Sequence, residues 1–361
     1  MSAPGPGPWI WSRRLDLAVF AGPVLFGFAL AFGARALGFA HDAKLPEWGW
    51  VVLVLGVDVA HVWSTLFRTY LDGDELRRRP ALYAGIPALC LAVGVALHSV
   101  SGLLFWRCLA YLAVFHFVRQ QVGWVAIYRA RAGGATRWER VVDDAVIYLG
   151  TGVPLLAWHT RLPRPFVWFM DGDFVDLARL APLVTAGQVL LALSLVAFGL
   201  RTAERARAGL VVSWGKLVVV VTTVLSWHVA IVVADDDLTF TALNVLPHGV
   251  PYVALLWAYA RARAKRAPAT LGSRIALRGL APFVLVLLAC ALVEEGLWDR
   301  LVWLDRAWLF GFLPEARTAI PAVLVPLLSL PQSTHYALDA LLWRRGDTGP
   351  EQAEALGFGR R

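Results

Sequence analysis

The chain has 361 residues, 58% of them hydrophobic and 17% charged, with a formal charge of +8. Soluble domains typically carry about 25% charge, so an ordinary soluble enzyme is excluded; the basic residues lie in connections between apolar runs, which removes the need for a nucleic-acid partner. The three cysteines, Cys90, Cys108 and Cys290, fall inside apolar runs, which leaves neither a disulfide framework nor a zinc-knuckle spacing.

Apolar runs of about 20 residues, each sufficient to cross a hydrocarbon core of roughly 30 Å, are read at 16–39, 49–69, 81–99, 102–128, 141–159, 181–200, 209–234, 239–260, 275–293 and 319–343. The expected fold class is all-α, a polytopic integral membrane helical bundle of about ten transmembrane helices. Alternate connections are basic, among them "WSRR", "LRRRP", "YRARAGGATRWER", "RTAERARA" and "ARARAKRAPATLGSR". The intervening ones are short, acidic or mixed, such as "AHDAKLPEW", "VADDDL" and "VEEGLWDR". Cytoplasmic loops collect Lys and Arg, so both termini are expected in the cytoplasm, the membrane being read as a bacterial inner membrane. Residues 13–37 have the basic start and apolar middle of a signal peptide; removing them would break the alternation, and they are kept as the first span. A single transmembrane domain is expected over 16–345, with flexible cytoplasmic ends at 1–15 and 346–361 and short outer interfacial helices at 161–180 and 296–312.

Polar side chains at membrane depth are expensive, about 2.5–3.5 kcal/mol for Arg, Lys or Asp at a helix centre, so function is sought among them. Steps of three and four residues place side chains on one helical face. The second span contains "DVAHVWSTLFRTYLD" (58–72), which aligns Asp58, His61, Thr65 and Arg68. The fourth, "YLAVFHFVRQQVGW", carries His116, Arg119 and Gln120, and the fifth, "DDAVIYLGT", carries Asp144, Tyr148 and Thr151. The seventh offers His228, with Lys216 and Thr223 on another face. The eighth, "TALNVLPHGVPY", carries Thr241, Asn244, His248 and Tyr252 beside Pro247 and Pro251; the tenth, "LPQSTHYALDALLW", carries Gln332, His335 and Asp339. The remaining spans have no comparable stripe and read as scaffold. At 1.5 Å per residue, His61 and His335 lie roughly 12 Å from the cytoplasmic ends of their spans, and His116, His248 and His228 roughly 18 Å. His41, His98 and His159 fall at outer span ends and read as interfacial.

A lone membrane histidine usually bonds to a neighbouring helix. Five at similar depth, two with a carboxylate on the same face, point to a metal, because neutral imidazole is the commonest side-chain ligand. A carboxylate one turn away either completes the coordination or holds the second ring nitrogen. The expected metal residues are therefore His61, His116, His248, His335 and His228, with Asp58 and Asp339. The ion is expected to be iron, mono- or dinuclear, with zinc or copper as alternatives and an open position for water, O₂ or substrate. Gln120, Gln332, Asp144 and Tyr148 are expected around the ligands. Tyr252 is expected to supply a proton or orient oxygen, Arg119 to anchor a polar substrate head or neutralise the carboxylates, and Asn244 to act as a polar catalytic group.

Dispersed intramembrane histidines, with "LPHG" at 246–249, resemble the integral membrane multi-histidine non-haem iron oxygenases, meaning the desaturases, hydroxylases and bacterial carotene-cleaving oxygenases. The Pro-His-Gly signature belongs to the last of these, although "VPY" follows it here where an acidic residue is expected, and no HxxxH or HxxHH box is present. The resemblance implies that His248 ligates iron, that the substrate is a membrane lipid or isoprenoid, and that an electron-donor protein takes part. Two other classes fit the same residues. One is a proton- or ion-coupled transporter with His and Asp as a relay and a broken eighth span; the other is a membrane acyl- or glycosyltransferase.

Overall fold

The computed structural model describes residues 7–39, 43–316, 320–343 and 349–358, which contain helices and connections and no strand. Residues 1–6, 346–348 and 359–361 of the expected flexible ends, and His41, lie outside the described residues. In chain order the helices are α1 (Arg13–Ala36), α2 (Glu47–Arg68), α3 (Gly73–Arg78), α4 (Pro80–Val100), α5 (Gly102–Ala132), α6 (Arg137–His159), α7 (Ala178–Arg207) and α8 (Trp214–Val233). They continue with α9 (Asp237–Ala264), α10 (Leu271–Leu277), α11 (Leu280–Trp303), α12 (Ala307–Phe310), α13 (Pro321–Leu328), α14 (Leu330–Leu342) and α15 (Pro350–Ala355). Among the described residues eight of these, α1, α2, α4 to α8 and α11, are long and apolar enough to cross a membrane, and the chain is accordingly an integral membrane protein. On α7 the side chains of Leu183, Val189, Leu190, Leu193, Val196 and Leu200 are all exposed. A contiguous apolar surface of this kind is a liability in water and the ordinary exterior of a helix in hydrocarbon.

Two of the ten expected spans are not among the eight, each for a physical reason. Helix α9 is a single helix of 28 residues, but its polar stripe and two prolines dilute its apolar character. It runs unbroken through Pro247 and Pro251, where the transporter alternative allowed a break. The run expected at 319–343 is parted at Ser329, whose N–H and hydroxyl both donate to the Val325 carbonyl, at 3.0 and 2.9 Å. Pro331, just beyond, has no N–H with which to continue the ladder. The outer interfacial helix expected at 161–180 is instead a loop ending in a short turn, Ala178–Leu180. Asp173 Oδ2 accepts from the N–H groups of Trp168, Phe169 and Met170 at 3.0, 2.7 and 3.3 Å, which satisfies that backbone without a helix. The segment 296–312 is the end of α11 followed by α12.

The chain forms two compact units. The first comprises Met1–Gly49, Val114–Pro251 and Ala353–Arg361. Its helices approach closely: a Cβ on Gly150 of α6 would lie 2.7 Å from Val224 of α8, and one on Gly187 of α7 would lie 2.8 Å from Val153 of α6. Buried Asp16 accepts from the N–H groups of Ile10, Trp11 and Ser12 and from Tyr128 Oη at 2.6 Å; the stretch expected as a free N-terminus is thus tied down from Ile10 onward. Lys216 is buried with its Nζ 3.0 Å from Glu139 Oε1 and 2.9 Å from Asp143 Oδ1. Arg205 reaches Glu139 at 3.0 Å, and Arg129 reaches Asp143 at 3.3 Å and Asp144 at 3.0 Å. Five charged residues around one ammonium satisfy one another where water is scarce.

The second unit comprises Trp50–Ala113 and Tyr252–Gln352. Helix α2 changes its winding twice, from a π-helical stretch over Trp50–Val59, through Ala60–Ser64 in α geometry, to a 3₁₀ stretch over Thr65–Arg68. The tighter winding takes Arg68 out of the expected stripe: it lies 3.4 Å from Glu75 and donates to Gln352 at 3.3 Å. Glu75 also accepts from Arg78 Nε and Tyr83 Oη, both at 2.8 Å. Arg263 pairs with Asp72 at 2.7 Å and Glu351 at 3.1 Å, so within the expected tail α15 carries a buried Gln352 and an ion-paired Glu351. Tyr83, Leu338 and Leu342 form a buried core beneath this polar layer. Helices α5 and α9 each supply residues to both units.

These networks have measurable consequences. Lys216→Met removes the cation between two buried carboxylates, which costs about 3–5 kcal/mol; a marked fall in the Tm of the detergent-purified protein is expected, and a wild-type Tm would show that the network stabilises nothing. Burial pushes the Glu75 carboxyl up, but the Arg78 hydrogen bond, the Arg68 charge and the Tyr83 hydroxyl outweigh it and hold the group at about 2, below its ordinary 4.5. Its stabilisation is therefore complete above pH 4.5 and is lost as pH falls toward about 2. The Tm gap between wild type and Glu75→Gln should be constant near neutrality and close across that acid window.

Candidate metal centre

In the second unit His61 stands on α2 just after the π-helical stretch, a distortion frequent at functional sites, and His335 stands on α14. Both are 1% exposed, and their ring centroids are 5.1 Å apart. His335 Nδ1 lies 2.7 Å from Thr65 Oγ1, which lies 3.1 Å from Tyr252 Oη, and the Tyr252 hydroxyl in turn donates to Asp339. With the Asp339 carboxylate accepting from Tyr252, one assignment gives each contact a proton. The tyrosine proton is committed to the carboxylate, so Thr65 must donate to Tyr252 and His335 Nδ1–H must donate to Thr65. The chain of hydroxyls thereby fixes the His335 tautomer and makes Nε2 the nitrogen with a lone pair for a metal. Asp58 Oδ1 lies 3.7 Å from His61 Nδ1.

In the first unit His116 on α5 and His248 on α9 are likewise buried, with ring centroids 5.0 Å apart. Phe117 stacks on the His248 ring at 3.5 Å with an interplanar angle of 11°. Gln120, one turn beyond His116, donates from Nε2 to the His248 carbonyl at 2.8 Å and so ties the two histidine-bearing turns together.

His61 and His335 thus make one close pair of buried imidazoles within the second unit, and His116 and His248 another within the first. A set of neutral imidazoles, one of them with its tautomer already set, suits a transition metal. The four buried histidines are candidate metal ligands.

The remaining expected residues are placed as follows. Asp339 lies at the end of the Thr65–Tyr252 chain. His228 donates to or accepts from no other side chain in this group; its Nδ1 lies 3.1 Å from its own helix's Val224 carbonyl, and it is not one of the four. Asn244 is buried and donates to the Phe240 carbonyl one turn back, at 2.8 Å, which is a helix-internal role. Asp144 is engaged by Arg129. Arg119 donates to Tyr148 Oη at 2.6 Å, both being exposed. Gln332 hydrogen-bonds Tyr336 one turn on. Two residues were missed. Thr65 was visible in the stripe without a role, and its hydroxyl turns out to join His335 to Tyr252. Glu294, read as part of an outer connection, is buried in α11 and accepts from Trp63 Nε1 at 2.6 Å; a carboxylate inside a span was hidden by placing the end of that span at residue 293.

The chain matches no protein-family model, no curated protein and no solved structure.

Proposed function

We propose that the protein is a membrane metalloenzyme, an iron-dependent oxygenase, desaturase or hydroxylase acting on a lipid or isoprenoid. The observation that carries this reading is two pairs of buried imidazoles, His61 with His335 and His116 with His248, whose ring centroids lie 5.1 and 5.0 Å apart, at a depth where each polar group is costly. The choice of iron over zinc or copper follows the likeness of "LPHG" to the multi-histidine iron oxygenases. His61, His116, His248 and His335 would ligate iron, and bound iron would supply the redox chemistry that oxidation of an unactivated C–H bond needs. The protein's own residues prepare the site. His335 is held by Thr65 as an Nε2 donor. Tyr252 and Thr65 form a hydroxyl path along which a proton can pass between His335 Nδ1 and Asp339. Asp58, half-buried, places Oδ1 3.7 Å from His61 Nδ1. Electrons would come from a donor protein on the cytoplasmic side. The same reading sets the chain in a bacterial inner membrane with ten crossings and both termini cytoplasmic, since the basic connections alternate with acidic or short ones.

Metal per protein, measured on the detergent-purified chain, tests the site. Stoichiometric iron is expected in wild type and none in His335→Ala. Thr65→Val removes the contact that sets the tautomer, and affinity should fall about 10–100-fold with folding intact by monodispersity. A well-folded wild type that stays metal-free after iron, zinc or copper supplementation refutes the metalloenzyme. Reporter fusions check the orientation: one at Gly133 should read cytoplasmic and one at Asp236 external, and a cytoplasmic reading at Asp236 ends the ten-crossing arrangement.

A further inference from the structure

The second unit contains a cavity of about 260 Å³ that reaches from its surface to His335 and Thr65. Three irregular pieces of backbone build its wall: the 3₁₀ stretch of α2 over Thr65–Arg68, the proline at position 87 inside α4, and the parting of α13 from α14 at Ser329. Irregular backbone at membrane depth is tolerated where it is covered by protein or lines a cavity, and these three departures converge on one. At the mouth Leu327 is 46% exposed and Leu330 half-buried, whereas Thr334 and His335 at the inner end are buried. Among the described residues no Asp, Glu, Lys or Arg lines it, and most of its lining surface is apolar. Its polar atoms are few, and the imidazole already joined to the Thr65–Tyr252–Asp339 chain is one of them.

We infer that this cavity receives a segment of hydrocarbon chain from a membrane lipid and lays it against the His335 ring. Its volume falls short of the roughly 300–1,000 Å³ that encloses a whole drug-sized ligand. The fit is therefore a run of methylenes or isoprene units, with the rest of the molecule left in the bilayer beyond Leu327 and Leu330. Binding of the chain stands on the cavity alone; only its chemical fate rests on the metalloenzyme reading.

Photolabelling of the purified full chain tests this. The probes are palmitic acid and geranylgeraniol, each carrying a diazirine, and adducts are mapped by peptide mass spectrometry. Label is expected on peptides covering 62–70 and 327–338, for whichever probe has the matching chain. Thr334→Trp fills the inner end, and Leu330→Trp, at a half-buried position, blocks the mouth if the first variant does not fold. Either should cut that label by about tenfold or more, while label on lipid-exposed Leu193 and Val196 of α7 stays unchanged. Cavity label no stronger than that on α7, or insensitive to both tryptophans, overturns the proposal. Metal content is read on the same samples: both tryptophan variants should retain the wild-type ion. A metal-free wild type that still labels in this way would sink the metalloenzyme and leave the cavity assignment standing.

Discussion

Inside a bilayer no water satisfies an imidazole, a hydroxyl or a carboxylate, and each polar group must find its partner within the protein. That constraint explains why the polar side chains come in joined sets. Lys216 gathers Glu139 and Asp143; Asp16 gathers three backbone N–H groups and Tyr128; His335, Thr65, Tyr252 and Asp339 form one chain of contacts. A four-residue chain with a carboxylate at one end has a direction, because only the far end can accept without donating. The orientation of the His335 ring therefore depends on a carboxyl group it does not touch.

The helical winding obeys the same constraint. Ideal α geometry would carry Asp58, His61, Thr65, Arg68 and Asp72 along one face. The π-helical and 3₁₀ stretches of α2 instead divide them between two tasks. The first three stay with the imidazoles, and Arg68 and Asp72 turn to Glu75, Gln352 and Arg263. A longer and then a tighter turn in one helix lets six turns of sequence serve a buried site and a charged layer at once.

Much of this was legible in the residues. Uniformly apolar runs such as α4 and α7 announce themselves, because nothing competes with their hydropathy. Histidine spacing singled out His61, His116, His248 and His335 because an imidazole in a span is costly enough to need a reason. Other features were invisible for equally physical reasons. Spacing along one helix does not say which neighbour a side chain meets, so His228 was grouped with the other four by depth, without a stripe of its own, although its Nδ1 meets its own helix's Val224 carbonyl. A stop at Ser329 depends on hydroxyl and proline chemistry that hydropathy does not register. Glu294 was lost because charged residues near a run's edge read as its end, whereas α11 continues to Trp303 with Asp299 and Arg300 paired to each other.

The second unit is assembled from two stretches of chain with most of the first unit encoded between them. Thr65 and His335 are 270 residues apart, and a ribosome adding about 5–20 residues per second needs roughly 15–50 s to cover that interval. During that time α2 must reside in or beside the membrane with Asp58, His61 and Thr65 already made and the partners from α9, α11 and α14 not yet synthesised. Biogenesis thus imposes a waiting period on the most polar of the early helices, and whatever shelters it, be it the insertion machinery or a neighbouring early helix, is a requirement of the fold as real as any contact in the finished molecule.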